Sequence, residues 1–172
     1  YLSGGTPAPR LAAARPPLRD AVELGITLAG LLQHMHASGV IHCDIKPSNI
    51  GFTQQGGVKL LDFGLARVMR DARAATTTAL GTRHSSDSTE SPDDTGGGWF
   101  GTPHFMSPEA ARGEPPAPSF DLWALAVVLY EATTGCRPFD GQDAWEILDR
   151  IRTGPAPDIH EAWPDVPQAV AS

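Results

Sequence analysis

The sequence predicts an α+β fold that is mostly α-helical and carries one small β-hairpin. Two observations predict it. Apolar residues recur at helical spacing in three separate segments, and two short apolar runs flank a four-residue loop that contains two glycines. The length of 172 residues allows one domain or a large part of one, and it is long enough to bury a core.

The first helix is predicted over residues 20–38, after an irregular lead-in over residues 1–19 that is rich in Gly, Pro and Ala. Asp20 is the candidate N-cap, and Gly39 stands where a helix commonly ends. Two adjacent apolar stripes indicate a wide buried face. They consist of Leu24, Leu28, Leu31 and Met35, and of Val22, Ile26, Ala29 and Leu32.

The hairpin is predicted from residues 50–53 and 58–61, which flank the loop at 54–57. The segment before it, residues 42–49, contains a proline and several polar residues, so we expect an ordered loop there. Residues 71–98 are rich in Ser and Thr and contain almost no bulky apolar side chain. Such a segment cannot offset its ordering entropy by burial, so we expect a flexible insertion.

Two further helices are predicted in the second half of the chain. Residues 120–134 are apolar on all sides through Tyr130, which predicts a buried helix with Ser119 as its N-cap. Residues 143–152 read as an amphipathic helix with Trp145, Leu148 and Ile151 on one face. From residue 154 onward four prolines predict an irregular connection.

Composition argues against several classes of protein. The chain has 13 Lys and Arg against 20 Asp and Glu, a formal charge of −7, which disfavours binding to a nucleic-acid backbone. Its two cysteines are too few for a disulfide scaffold and favour a reducing compartment. The longest apolar run, residues 122–130, is far shorter than the ~20 residues that cross a bilayer. We expect a cytoplasmic segment without nucleic-acid or membrane contact, although the full-length protein could be anchored elsewhere.

Three short motifs carry the chemistry. Asp44 is followed by a lysine two residues on and an asparagine five residues on; Asp62-Phe63-Gly64 follows the second hairpin strand; and Ser107-Pro108-Glu109 precedes the buried helix. An Asp-Phe-Gly tripeptide alone is weak evidence, but its position 18 residues after Asp44, with a hairpin between, is specific. By these motifs the chain resembles a eukaryotic-type Ser/Thr protein kinase, a family found in eukaryotes and many bacteria.

The resemblance implies a protein-kinase-like large lobe, or C-lobe, over residues 1–172, with 71–98 inserted in the activation segment. The small N-lobe is expected to be absent, because neither Gly-x-Gly-x-x-Gly nor Val-Ala-Ile-Lys occurs before residue 20. The implied activity is transfer of the γ-phosphoryl group of ATP to Ser or Thr hydroxyls of protein substrates. We expect the fragment alone to be inactive, and the sequence leaves its oligomeric state open.

The reaction explains the residue types in the motifs. A hydroxyl nucleophile needs a proton acceptor, for which Asp44 is the candidate, and Lys46 is placed to bind ATP and neutralise the transferred phosphoryl group. Asn49 and Asp62 offer the oxygen ligands that Mg²⁺ prefers, with Mn²⁺ as an alternative. Taken singly, Asp44 could be a loop-capping carboxylate and Asn49 a turn residue with a local hydrogen bond.

The resemblance assigns further roles. Thr102 is implied in substrate docking, with hydrogen bonds to Asp44 and Lys46, and Lys46-Pro47-Ser48 resembles Ser/Thr rather than tyrosine kinases. Phe63 is expected to stack with His42, Gly64 to permit an unusual backbone, and Asp121 to anchor the catalytic loop. Structural or regulatory roles are implied for His42, Phe63, Gly64, Glu109 and Asp121.

Two other functions stay open from the sequence. A truncated or pseudokinase-like C-lobe could act as a protein-binding scaffold, although the intact Asp44, Lys46, Asn49 and Asp62 argue against lost chemistry. Small-molecule phosphotransferases of the antibiotic-modifying kind share His-x-Asp but lack the Ser-Pro-Glu segment. Cys43 is interpreted as an inert buried thiol, and no ligand-like spacing connects the histidines at 34, 36, 84 and 160.

Overall fold

A computed structural model of the chain describes residues 16–69, 102–164 and 166–167. The predictions for residues 1–15 and for the insertion at 71–98 lie outside the described residues. The helices are α1 (Leu18–Ala37), α2 (Pro108–Ala111), α3 (Pro118–Thr134), α4 (Ala144–Thr153) and α5 (Ile159–Ala162). The strands are β1 (Val40–Ile41), β2 (Ile50–Phe52), β3 (Val58–Leu60) and β4 (Arg67–Val68), and 3₁₀ turns cover Pro47–Asn49 and Pro103–Phe105.

The main core lies between α1, α3 and the loop that leads into β2. Leu28 and Leu32 of α1 pack with Val128 of α3 and with two residues of the loop region, Ile45 and Ile50. Each of these side chains is at most 2% exposed, and burying one aliphatic side chain contributes about 1.5–3 kcal/mol. The loop is therefore attached to the core at both ends of the segment that carries the polar motif.

Helix α1 differs from its prediction at its start and on its buried face. It begins at Leu18 after Pro17, so Asp20 lies in the first turn rather than at the N-cap. Val22 and Ile26 are 45% and 70% exposed, so the prediction of a wide buried face was wrong. The buried stripe is narrow, because α3 and the loop region that precedes β2 cover only one side of the helix; its members are Ala21, Gly25, Leu28 and Leu32.

The hairpin is confirmed with strands one residue shorter than predicted. Strands β2 and β3 pair antiparallel, with Ile50 opposite Leu60 and Phe52 opposite Val58. The end of α1 is also confirmed, since Gly39 adopts a left-handed φ of 75°. A second antiparallel pair, β1 with β4, was missed because two-residue strands are too short to show a period.

The later helices agree with the predictions in position more than in burial. Helix α3 begins at Pro118, with Ala117 rather than Ser119 as its N-cap, and a proline suits the first helical turn. It is not buried all round, since Leu122 is 52% exposed. Gly135 ends it with a left-handed φ of 75°. No helix in the described ranges is both long and apolar enough to span a membrane.

Helix α4 is capped by Asp143, whose side chain accepts a hydrogen bond from the Glu146 N–H at 2.9 Å. Trp145 is 65% exposed, so its predicted place on the buried face was wrong; the buried residues are Ile147, Leu148 and Ile151. The tail, predicted to be irregular, contains the short helix α5, which Asp158 caps.

The close approach of α1 to α3 depends on Gly25. A Cβ added there would lie 3.0 Å from Leu129 Cδ1, whereas one added at Gly30 of the same helix meets nothing within 4 Å. We predict that Gly25→Val lowers the free energy of unfolding by about 1–3 kcal/mol through overpacking. The matched change Gly30→Val leaves it within about 0.5 kcal/mol of wild type. Urea denaturation measures both, and equal stability of the two variants would contradict this packing.

Candidate active site

A buried carboxylate on α3 holds the start of the catalytic loop, residues 42–49. Asp121, 1% exposed, accepts the His42 N–H with Oδ2 and the Cys43 N–H with Oδ1, each at 2.9 Å. Cys43 adopts a left-handed φ of 64°, which costs a non-glycine residue energy and persists only where its surroundings impose it. The two hydrogen bonds from consecutive N–H groups to Asp121 hold the loop in this conformation.

A third donor to the same carboxylate comes from α1. The Nε2 of His36 lies 2.7 Å from Asp121 Oδ2, so one side chain joins α1, the loop and α3. Sequence reasoning missed this role, because His36 and Asp121 are far apart in the chain and neither lies in a motif with the other. A buried carboxylate with three hydrogen-bond donors is well compensated for its loss of water.

The buried side chain of His42 joins the loop to the segment after β3. Its Nδ1 accepts the Asp44 N–H at 3.3 Å, and its Nε2 lies 3.0 Å from the carbonyl oxygen of Leu61. A carbonyl only accepts, so these contacts assign the neutral tautomer with the proton on Nε2. The Phe63 ring lies 5.0 Å from the His42 ring at an angle of 48°, the pairing that the resemblance implies.

Asp44 and three other predicted residues form one polar cluster. Asp44 Oδ2 lies 2.8 Å from Lys46 Nζ and accepts a hydrogen bond from Asn49 Nδ2 at 2.9 Å. Lys46 Nζ also donates to Thr102 Oγ1 at 3.1 Å. The contacts seen for Thr102 run to Lys46, while its expected bond to Asp44 is not among those of the described residues. The structure thus brings together a carboxylate, an ammonium, an amide and a hydroxyl.

Asp62 is tied to this cluster through the backbone. The carbonyl oxygen of Asn49 accepts the Leu61 N–H at 2.8 Å, which places Asp62 one residue beyond that bond. Its side chain is exposed, and Oδ1 accepts the Gly64 N–H at 3.1 Å. The unusual backbone is at Asp62 itself, with a φ of 58°. Gly64 has no left-handed φ; its lack of a side chain matters because a Cβ would lie 3.1 Å from Asp62 Oδ1.

The oxygen atoms of Asn49 and Asp62 have the chemistry of ligands for a hard divalent cation. Asn49 uses its Nδ2 for hydrogen bonds to the carbonyl and the carboxylate of Asp44, so Oδ1 is its remaining polar atom. Asp62 adds an exposed carboxylate. Carboxylate and amide oxygens suit Mg²⁺ and Mn²⁺. Among the described residues, no group of three or more His, Cys, Asp or Glu side chains could hold a metal ion.

A cavity of about 560 Å³ opens beside the polar cluster. It lies between the catalytic loop, the turn after Thr102 and the segment that follows α2, and its lining includes Asp44, Thr102, Phe105 and Phe120. This volume is in the range of ligand-binding clefts. Glu109 lies on α2, where its nearest charged partner is Arg112 at 3.9 Å, and does not join the Asp44 cluster.

The thiol of Cys43 lines the same cavity and is half-buried. Burial raises its pKa to about 11, and the Asp121 carboxylate adds to that rise. Thiolate is the reactive form of cysteine, so this environment supports the interpretation of Cys43 as an inert thiol.

We predict that Cys43 is alkylated slowly at neutral pH, while the exposed Cys136 reacts first. With a pKa of about 11, only about one thiol in a thousand is ionised at pH 8. The labelling rate of Cys43 should therefore rise about tenfold per pH unit up to about pH 11. Mass spectrometry after iodoacetamide treatment of a Cys136→Ser variant measures this rate. Rapid labelling of Cys43 at pH 7 would contradict the raised pKa.

Comparison with known proteins places the sequence in a family. The family model described as protein kinase domain matches residues 18–169. The chain is 34% identical over 139 residues to the probable serine/threonine-protein kinase PknB of Corynebacterium glutamicum, covering 80% of this chain and 19% of the relative. It is 35% identical over 156 residues to the serine/threonine-protein kinase PknA of Mycobacterium tuberculosis, covering 91% of this chain and 31% of the relative.

These matches support the family and not the finer expectations about the fragment. The chain spans less than a third of the length of these relatives. The family match runs over nearly the whole chain and does not confirm that only the large lobe is present. Its helices and two small sheets are compatible with a kinase-like fold. A family match over most of its length and two Ser/Thr kinase relatives show that this chain belongs to the protein kinase family.

Proposed function

We propose that the chain is the catalytic part of a Ser/Thr protein kinase, which transfers the γ-phosphoryl group of ATP to Ser or Thr hydroxyls of protein substrates. The observation that carries the proposal is the contact of Lys46 Nζ with both Asp44 Oδ2, at 2.8 Å, and Thr102 Oγ1, at 3.1 Å. These contacts gather a proton acceptor, a cation and a hydroxyl from two distant segments, and two of the three residues, Asp44 and Thr102, line one cavity.

Asp44 is the proposed proton acceptor, with Oδ1 as the accepting atom. The contacts of its carboxylate with Lys46 and Asn49 both use Oδ2. Oδ1 is therefore the oxygen proposed to take the proton of the substrate hydroxyl. In the transfer, the hydroxyl oxygen of the substrate forms a bond to the γ-phosphorus while the bond from that phosphorus to the β,γ-bridging oxygen breaks. The hydroxyl proton passes to Asp44, and ADP leaves with the bridging oxygen.

Lys46 has two proposed tasks. Its side chain is a quarter exposed, so the ammonium group can neutralise charge on the transferred phosphoryl group while it orients Asp44. Thr102 accepts a hydrogen bond from Lys46, and we place the docking position of the protein substrate beside it. The turn that carries Thr102 is thereby connected to the loop that carries the base.

Asn49 and Asp62 are the proposed ligands of the divalent cation, Mg²⁺ or Mn²⁺. When bound, such an ion would neutralise charge on the phosphates of ATP. Asn49 also holds Asp44 through Nδ2, so one side chain orients the base with its nitrogen and offers its oxygen to the cation. Nucleotide binding is therefore expected to depend on both the side-chain nitrogen and the side-chain oxygen of Asn49.

We assign residues 18–169, the range of the family match, to the kinase domain and interpret the described elements as its large lobe. Residues 71–98 stay assigned as an insertion in the activation segment. Because the chain spans less than a third of the length of its relatives, activity is proposed for the natural protein that contains the chain, and the fragment alone is expected to be inactive. The free cysteines Cys43 and Cys136 fit a cytoplasmic location.

Replacing the base tests the proposal. In the natural protein that contains this chain, Asp44→Asn should lower kcat for transfer to a generic Ser/Thr protein acceptor by about 10²–10⁴-fold. The KM for ATP should stay within about twofold, because the amide keeps the shape of the side chain. The matched control is Asp149→Asn, whose 68% exposed carboxylate on α4 pairs with Arg152. An Asp44→Asn enzyme with wild-type kcat would overturn the assignment.

A pair of substitutions tests the Thr102 hydroxyl. Thr102→Val keeps the shape but removes the acceptor of the Lys46 hydrogen bond, and we predict a fall of about tenfold in kcat/KM for the protein acceptor. Thr102→Ser keeps the hydroxyl and should stay within about threefold of wild type. Steady-state kinetics at saturating ATP separates the two variants. The hydroxyl has no such role if Val and Ser at this position behave alike.

A further inference from the structure

A second group of charged side chains lies directly beside the Thr102 turn. The 3₁₀ turn Pro103–Phe105 follows Thr102, and its central residue, His104, contacts the loop between α3 and α4. The Nε2 of His104 lies 3.0 Å from Arg137 Nη1 and 3.4 Å from Asp140 Oδ1. Its side chain is only 18% exposed, so the imidazole is held against the loop.

The two contacts of His104 place opposite demands on one nitrogen. A guanidinium only donates, so Arg137 needs Nε2 without a proton, whereas the carboxylate of Asp140 only accepts and needs Nε2 with one. The nitrogen cannot serve both at once. A neutral ring with its proton on Nδ1 accepts from Arg137; a protonated ring repels Arg137 and turns to Asp140. The shorter distance is the one to Arg137, which matches the neutral ring.

The loop that receives His104 is firmly held. Phe139 stacks on Trp123 of α3 with ring centres 5.8 Å apart, and it belongs to a second core with Ile147 and Ile151. Arg150 of α4 donates to the carbonyl oxygen of Asp140 at 2.5 Å. A side chain anchored to this loop is therefore attached to α3 and α4 together.

The turn itself is short and has few internal bonds. The Phe105 N–H donates to the Thr102 carbonyl at 3.0 Å, and the Met106 N–H to the Pro103 carbonyl at 3.1 Å. Phe105 packs against the main core, so the turn is held on one side by Phe105 and on the other by His104. Loss of either attachment should loosen the position of Thr102.

We infer that His104 is a positioning residue for the acceptor side of the site, whose neutral imidazole accepts from Arg137 and thereby holds the Thr102 turn in place. This inference rests on the proposed kinase function for its effect on catalysis. The charged groups that contact the ring are Arg137 and Asp140 from the loop. Behind them, Glu131 Oε1 of α3 lies 3.8 Å from Arg137 Nε, and Arg150 of α4 donates to the Asp140 carbonyl.

The experiment compares His104→Ala, His104→Gln and wild type in the natural protein that contains the chain. Hydrogen exchange of the Phe105 and Met106 amides reports on the turn without any catalysis. Steady-state kinetics reports KM for a Ser/Thr peptide and KM for ATP. His160→Gln is the matched control, because His160 also pairs with an aspartate, Asp158, at 2.9 Å.

At pH 8, His104→Ala should speed exchange at both amides and raise the peptide KM, each by about fivefold, with the KM for ATP unchanged. The carbonyl of Gln can accept from Arg137, so His104→Gln should restore both values at pH 8. The control His160→Gln should leave both values unchanged.

Unchanged amide exchange in His104→Ala would overturn the inference, as would a His104→Gln variant that behaves like His104→Ala. If the wild-type protein transfers no phosphate to any Ser/Thr acceptor, the proposed function fails. The exchange measurements still decide the role of His104 in that case, because they need no turnover.

Discussion

The Asp121 carboxylate is the interaction on which the rest of the site depends. It is buried in α3 and receives two consecutive N–H groups of the loop and the imidazole of His36 from α1. A buried charge persists only where hydrogen bonds replace its water. These three donors therefore stabilise the charge, and the charge in turn fixes the left-handed turn at Cys43 from which the catalytic loop starts.

Beyond Cys43, apolar side chains of the loop enter the core and the polar side chains between them do not. Ile45 and Ile50 enter the core beside α1 and α3, while Asp44 and Lys46 face each other at 2.8 Å. The buried apolar residues fix the position of the backbone. The polar side chains between them are therefore held close to one another with few additional contacts. Asn49 completes the arrangement by bonding to both the carbonyl and the carboxylate of Asp44. Preorganisation of this kind is what phosphoryl transfer requires from a protein.

Sequence reasoning was reliable where one element determines its own structure. The hairpin and the glycine ends of α1 and α3 depend on residues that are neighbours in the chain, and they were predicted to within a residue or two. The burial of individual side chains was less predictable, because it depends on which other elements pack against the helix. Ile26 and Trp145 are apolar and exposed; in both helices the predicted apolar face was wider than the buried face, because neighbouring elements cover only part of it.

The candidate site shows the same division between local and distant information. Asp44, Lys46 and Asn49 lie within six residues, so their spacing alone indicates that they meet. The contacts that support the site join residues far apart: His36 reaches Asp121, and His104 reaches Arg137. No spacing rule connects such pairs, since their meeting depends on the packing of α1, α3 and α4. The residues proposed to act in this kinase domain can thus be predicted from short motifs, whereas the residues that position them can be identified only in the folded structure.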